Sequence, residues 1–281
     1  MTRRCPPFGA IGVLLPFAAL TGLFLLEPLR WVLVNGFRGD SGWSLEQYRA
    51  ILASPYTLRS FSNSLQVSLW SSLAALAAAA PCAWAIRRLG GRTRDRMIAL
   101  CNMASNFSGV PLAFAFIVIL GTNGSLTLLL RRVGLGGFDL YSMGGIALLY
   151  AYFQIPLALL MLYPAFDALR EEWREAATLL GADPPRYWLR VGLPVLAPSL
   201  LGTFSTLFAN ALGAYATAYA LTTGDSNLVP IRISALVAGD VFLEPRLAAA
   251  LATLLMLLVG TVALIGRRLT PPGAPGREVR P

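Results

Sequence analysis

The 281-residue chain contains no histidine, all of its basic residues are arginine, and charged residues make up only 13% of it. Each absence removes a class of chemistry. A phosphate-binding P-loop needs a lysine to reach the β- and γ-phosphates, so no conventional ATPase site is expected. Zinc sites built on histidine and Ser-His-Asp triads are excluded in the same way. The pairs Gly90-Gly91 and Gly136-Gly137 lack the context of a phosphate loop and read as turns. Cysteine is scarce too. Cys5, Cys82 and Cys101 fall within apolar runs or at their inner ends, so no disulfide framework is indicated.

Soluble domains carry about 25% charged residues, and this chain is 56% hydrophobic with a mean hydropathy of +0.62. A bilayer core takes roughly 20 consecutive apolar residues per helix. Six runs qualify: about 8–34, 61–86, 97–120, 143–166, 195–222 and 247–266. Helices are the expected form, because a span in lipid must satisfy its own backbone hydrogen bonds. The alternation of a membrane barrel is absent. The fold class is therefore all-α and membrane-embedded, with six transmembrane helices. The start superficially resembles a secretory signal peptide, but its apolar stretch is too long, so a retained first span is expected.

The net charge is +9. Such a balance can point to nucleic acid, but the placement of the arginines argues otherwise. Arg3, Arg4, Arg87, Arg88, Arg92, Arg94, Arg96, Arg170, Arg174, Arg186, Arg190, Arg267, Arg268, Arg277 and Arg280 share one side of a six-span topology. Arg38, Arg49, Arg59, Arg131, Arg132, Arg232 and Arg246 fall on the other, and Arg30 lies inside the first span. By the positive-inside rule both termini are cytoplasmic; Arg131-Arg132 runs against the bias.

Along the chain, Glu27 near the outer end of the first span reads as an interfacial residue. An outer segment, about 35–60, carries Trp43, Tyr48 and Tyr56 as interface aromatics and could begin a short helix at Ser44–Tyr48. The second span has a small-residue stretch, Ala74 to Ala80, that allows close helix approach. In the outer connection at about 121–141, the apolar piece Leu126–Leu130 is too short to cross. The end, Pro271–Pro281, has the Pro/Gly composition of a disordered tail. Polar groups within spans are costly and often functional, which makes Asn106, Gln154, Asn210 and Tyr215 candidates for a translocation path. Interhelical hydrogen bonding is the alternative for each.

The polar segment 167–194 between the fourth and fifth runs carries the most specific pattern. Asp167 can cap a helix beginning at Ala168. Leu169, Trp173, Ala176 and Leu180 form one apolar stripe. Asp167–Arg170 and Glu171–Arg174 are favourable i,i+3 pairs, worth roughly 0.2–0.5 kcal/mol each. Gly181 suits the left-handed position that ends helices, and Asp183-Pro184 restarts a short second helix. Leu193-Pro194 marks the turn into the fifth span. The expected product is a helix–turn–helix elbow on the cytoplasmic face. Ala176 and Ala177 would admit a close-fitting partner, and Glu175 would offer it a fixed anion.

Read as E-A-A-x3-G-x9-[IV]-x-L-P, the residues Glu175, Ala176, Ala177, Gly181, Val191, Leu193 and Pro194 form one pattern. It arises by chance on the order of one time in ten thousand or less at this composition. On it, the chain resembles the permease subunit of a binding-protein-dependent ABC importer with the type I importer fold, over about 60–268. Val191 stands where that family more often has Ile. The first span resembles the extra N-terminal helix of the polyamine, ferric iron and phosphonate branch. The resulting domains are an N-terminal helix and periplasmic segment at 1–59, the permease domain at 60–268 and the tail at 269–281.

The resemblance implies that the elbow is a coupling helix docked in a separate ATPase subunit, with the seven motif residues at the contact. It also implies an ATPase dimer, a second permease, identical or paralogous, and a periplasmic solute-binding protein. ATP would be used by the partner, and no cofactor or metal bound to this chain is expected. The solute would be small and polar, such as a polyamine, ferric iron or a phosphonate. A secondary transporter or channel without an ATPase would explain six spans but not the elbow's spacing. A membrane-embedded enzyme is weakened by the missing His and Lys.

Overall fold

The computed structural model describes residues 15–39, 42–134, 138–238 and 243–269. Arg3, Arg4, Cys5, the beginning of the first apolar run, the Gly136-Gly137 turn and the 271–281 tail lie outside them. Among the described residues, six helical stretches are long and apolar enough to cross a membrane: Leu15–Gly36, Pro55–Arg87, Val110–Arg132, Met143–Asp167, Pro184–Gly213 and Pro245–Arg268. The chain divides into two units, Met1–Leu58 with Arg232–Met256, and Arg59–Ile231 with Leu257–Pro281.

In the first unit, helix α1 (Leu15–Gly36) carries a π-helical stretch at Gly22–Leu26. Leu23, Phe24 and Leu25 are each more than half exposed, as on a helix that faces lipid rather than protein. Glu27 is paired with Arg30 one turn on, the guanidinium Nε donating to the carboxylate at 2.8 Å. A minimal antiparallel ladder follows, with Arg38 opposite Trp43 and Gly39 opposite Gly42. The short helix expected after Ser44 is α2 (Glu46–Ala53), and the Ser44 hydroxyl accepts the Glu46 N–H at 3.0 Å. Phe37 packs on Tyr48 with ring centroids 4.9 Å apart.

The second unit is organised around α3 (Pro55–Arg87), α4 (Gly91–Ser105), α5 (Val110–Leu120), α6 (Ser125–Arg132) and α7 (Met143–Asp167). The run expected as a single third span, 97–120, is divided. Residues 106–109 interrupt it, and Gly109 has φ +76°. The candidate span there is Val110–Arg132, so Leu126–Leu130 belongs to a helical stretch that the sequence pattern assigned to a loop. Helix α7 is central and packs against α4. One core gathers Leu112, Leu140, Leu149, Tyr150, Phe153 and Leu221. The other gathers Ala79, Ala83, Leu159, Leu162, Phe166 and Leu207.

A stripe of small residues on α3 explains its close approach. Ser60, Ser64, Ser68 and Ser72, then Ala75, Ala79 and Ala83, are all buried and lie three or four residues apart. At that spacing they form one face, and small side chains let two backbones pack closely where no hydrophobic force separates lipid from protein. The stripe meets α7 at Gln154, which is fully buried. Its amide donates to the Ser71 hydroxyl at 3.1 Å, and its carbonyl oxygen accepts from the Ser72 hydroxyl at 3.1 Å.

Interhelical hydrogen bonds in membranes average about 0.6 kcal/mol, so Gln154→Leu should cost about 1 kcal/mol in reversible unfolding of the purified chain in mixed micelles. Gly145→Ala should cost more, because a Cβ there would overlap the Leu140 carbonyl and backbone cannot yield as a side chain can.

Candidate functional site

The elbow between the fourth and fifth spans is built largely by backbone chemistry. Asp167 is the last residue of α7 rather than a cap, and the turn continues through Ala168 and Leu169. The expected Asp167–Arg170 pair is not among the ion pairs of the described residues. Leu169 is buried, and its carbonyl accepts a hydrogen bond from the guanidinium of Arg87 at the end of α3. Arg170 is extended and opens α8 (Glu171–Leu179). Glu171 pairs with Arg174, as expected, and lies 4.0 Å from Arg87. One carboxylate thus ties the start of α8 to the end of the second span.

Gly181 ends α8 in the left-handed conformation, φ +78°. The Gly181 N–H donates to the Thr178 carbonyl at 2.9 Å and the Ala182 N–H to the Ala177 carbonyl at 2.9 Å, the paired bonds of a Schellman motif. Asp183 is extended and Pro184 opens α9 (Pro184–Tyr187), although the Asp183 side chain makes no cap. From there the chain does not turn at Leu193-Pro194. A π-helical turn, Trp188–Gly192, leads straight into α10 (Leu193–Gly213). Pro194 is tolerated because it lies in the first turn of α10, where the π turn has already altered the hydrogen-bond ladder.

Exposure along the elbow differs from the expected single stripe. Leu169 is buried and Trp173 is exposed, and Leu179 and Leu180 are 90% and 87% exposed. Glu175 and Ala176 face solvent, and Ala177 is partly covered. Glu175 takes part in no ion pair among the described residues. Leu193 and Pro194 are exposed and Val191 is partly exposed. Gly192 is buried, and a Cβ on it would come within 2.5 Å of the Trp188 ring. Leu180 is expected on the apolar stripe, but its exposure and its pairing with Leu179 in one knuckle are not part of that pattern. The knuckle's signal was two leucines beside a helix-ending glycine.

A second feature lies where two helical paths are interrupted together. The fifth run, expected as 195–222, breaks after Gly213, and α11 (Ala216–Thr222) follows. Helix α11 packs against α5, beyond the break at 106–109. The Gly109 N–H donates to the Thr217 hydroxyl at 3.1 Å. The Ala214 carbonyl, freed by its own break, accepts from the Tyr150 hydroxyl at 2.5 Å. Tyr215, of the four path candidates, sits in this second break, its ring tilted against that of Tyr219 with centroids 5.1 Å apart. Asn106 sits in the first break, its amide donating to the Asn102 carbonyl at 2.8 Å. Asn210 is exposed one turn before the second break. Gln154 lies one turn along α7 from Tyr150, inside the bonds to Ser71 and Ser72. Tyr150 and Thr217 were not singled out by sequence, because an aromatic and a hydroxyl in apolar runs carry no periodic signal.

Residues 50–273 match the family described as binding-protein-dependent transport system inner membrane component. The chain is 27% identical over 217 residues to the thiamine transport system permease protein ThiP of Escherichia coli (strain K12), covering 75% of this chain and 40% of that one. It thus spans well under half the length of that relative. It is 30% identical over 207 residues to the putative 2-aminoethylphosphonate transport system permease protein PhnU of Salmonella typhi, covering 69% and 68% of the two chains. A chain of a bacterial alginate ABC transporter, solved in complex with an alginate pentasaccharide-bound periplasmic protein, superposes with TM-score 0.72 at 15% identity over 93% of each chain. At that identity the likeness shows the fold.

The left-handed residue generates a prediction. A side chain at φ +78° costs about 1–2 kcal/mol, so Gly181→Ala should speed hydrogen exchange of the Gly181 and Ala182 amides roughly fivefold or more. Exchange within α7 should stay unchanged.

Proposed function

Because the chain belongs to the family of binding-protein-dependent transport system inner membrane components, matched over residues 50–273, we propose that it is the transmembrane permease subunit of an ATP-driven ABC importer. The observation that carries the reading is the elbow. Its motif residues fall on an exposed helix, a Schellman turn and a proline-opened restart, in a segment tied to the second span by Arg87. Exposed apolar groups beside an unpaired carboxylate make a surface suited to a protein partner. In this reading Glu175 meets a cation or helix N-terminus of the ATPase, Ala176 and Ala177 permit close approach, and Leu179-Leu180 enter its cleft. Gly181 sets the bend, while Val191, Leu193 and Pro194 carry it into the fifth span.

The partners of this reading are an ATPase dimer, a second permease subunit and a periplasmic solute-binding protein, in the bacterial inner membrane with both termini cytoplasmic. Residues 1–59 would form the accessory N-terminal helix and outer segment, 60–268 the transport domain and 269–281 a cytoplasmic tail. The solute is small and polar, such as a polyamine, ferric iron or a phosphonate. Relatives named for thiamine and 2-aminoethylphosphonate support that class. The path would run past the paired breaks, since irregular backbone at membrane depth is tolerated where it is buried in protein or lines a cavity. Asn106, Asn210 and Tyr215 are the candidates there. Gln154 would act as a clamp between α3 and α7 beside the path.

Transport would proceed by alternating access. Closure of the ATPase dimer on ATP would move the elbow, and the continuous helix from Pro184 would carry that motion across the membrane. Hydrolysis would then reset the path. Truncating one partner of a buried charged contact usually costs about 2–5 kcal/mol. Glu175→Lys should therefore weaken association with the ATPase subunit by roughly 30-fold or more and abolish uptake in whole cells. Unchanged uptake and co-purification would refute the docking role. The purified chain alone should show no ATP hydrolysis above a buffer control in a phosphate-release assay.

A further inference from the structure

Two concavities on the second unit share a wall, and together they have the shape and chemistry of an amphiphile. The first, of about 540 Å³, lies between the end of α3 and the elbow. Arg87, Arg88 and Arg174 line it against one carboxylate, Glu171. The second, of about 330 Å³, runs between α3 and α10 and is bounded by Pro81, Phe166, Leu196 and Leu200. Trp84 and Trp188 line both, their rings edge to face with centroids 6.4 Å apart.

The arginines are not equally committed. Arg87 is held by the Leu169 carbonyl and Glu171, and Arg174 by Glu171. The Arg88 guanidinium lies 3.8 Å over the Trp84 ring, with no carboxylate partner among the described residues. Three guanidinium groups face one carboxylate, so the lining keeps an excess of positive charge. Planar guanidinium forks suit phosphate oxygens. The apolar groove begins at the same tryptophans and follows two candidate spans, with the exposed Leu193 in its lining. Tryptophans at this junction of charge and apolar surface match side chains that settle at the membrane–water boundary. The bare Cα of Gly192 lets the Trp188 ring lie across the backbone, where a Cβ would push it away.

A soluble anion would fill only the first concavity, and an apolar chain only the second. We propose that the pair binds one anionic phospholipid of the adjacent leaflet. Its phosphate would sit between Arg88 and Arg174, and an acyl chain would lie along Pro81, Leu196 and Leu200. The occupant would touch the end of the second span, the start of the elbow and the start of the fifth span at once. This assignment concerns the chain alone and does not require the ATPase.

The test is native mass spectrometry of the full chain released from nanodiscs that mix phosphatidylglycerol with phosphatidylcholine. Each arginine near an anionic headgroup is worth roughly a fivefold change in retention. Wild-type protein should retain phosphatidylglycerol over phosphatidylcholine by roughly tenfold or more. Arg88→Gln should lower that preference about fivefold, and Leu200→Trp should reduce retention by filling the groove. Equal retention of the two lipids would overturn the proposal, and this arm needs no variant. Displacement of the lipid by soluble glycerol phosphate at matched concentration would show a headgroup-only site and also overturn it. So would retention indifferent to both substitutions, or a photoreactive acyl chain kept from the groove by a protein partner in the purified complex.

Discussion

A peptide group inside a bilayer has no water to bond, so each interruption of a helix there must find its partner within the protein. This chain interrupts its helical paths at 106–109 and after Gly213, and both interruptions are supplied from neighbouring elements. Thr217 receives the Gly109 N–H, and Tyr150 donates to the Ala214 carbonyl. The first break depends on the second, because Thr217 lies on the short helix that the second break creates. Straightening the second path would carry Thr217 away and leave the Gly109 N–H without this acceptor. The same accounting extends to the elbow, where two paired amide bonds close α8 around Gly181 and a guanidinium takes the Leu169 carbonyl.

The division of labour on α3 follows from the same constraint. Its N-terminal half presents hydroxyls, and its C-terminal half presents methyl groups. Serines can bond within their own helix or across to a partner, as Ser71 does with Ser68 and Gln154. The polar half gives directional contacts and the alanine half gives close packing, along one face of one helix.

Much of this architecture was legible in the sequence, for physical reasons. Span number follows from apolar length, and four of the six runs, from residue 15 onward, coincide with helical stretches to within about six residues, while breaks divide the third and the fifth. The third run failed because composition integrates over a window, whereas Gly109-Val110-Pro111 acts at single bonds. In the elbow, Gly181 was readable because the left-handed region nearly requires glycine. Asp167 was misassigned because a capping carboxylate and the last residue of a preceding helix look alike when two helices are one turn apart. Leu193-Pro194 looked like a turn because proline often marks one. A π turn instead continues the helical path through it. Side-chain partners such as Tyr150 with Ala214, separated by 64 residues, lie beyond any local pattern.

The uninterrupted course from Pro184 to Gly213 has a geometric corollary. Thirty residues of helix at 1.5 Å per residue extend about 45 Å, the full depth of a bilayer with its headgroups. The wide turn at its base rotates every later side chain out of phase with those before it. A tilt about one end of a straight helix of that length displaces the other end by about 0.8 Å per degree, and here that other end is Gly213.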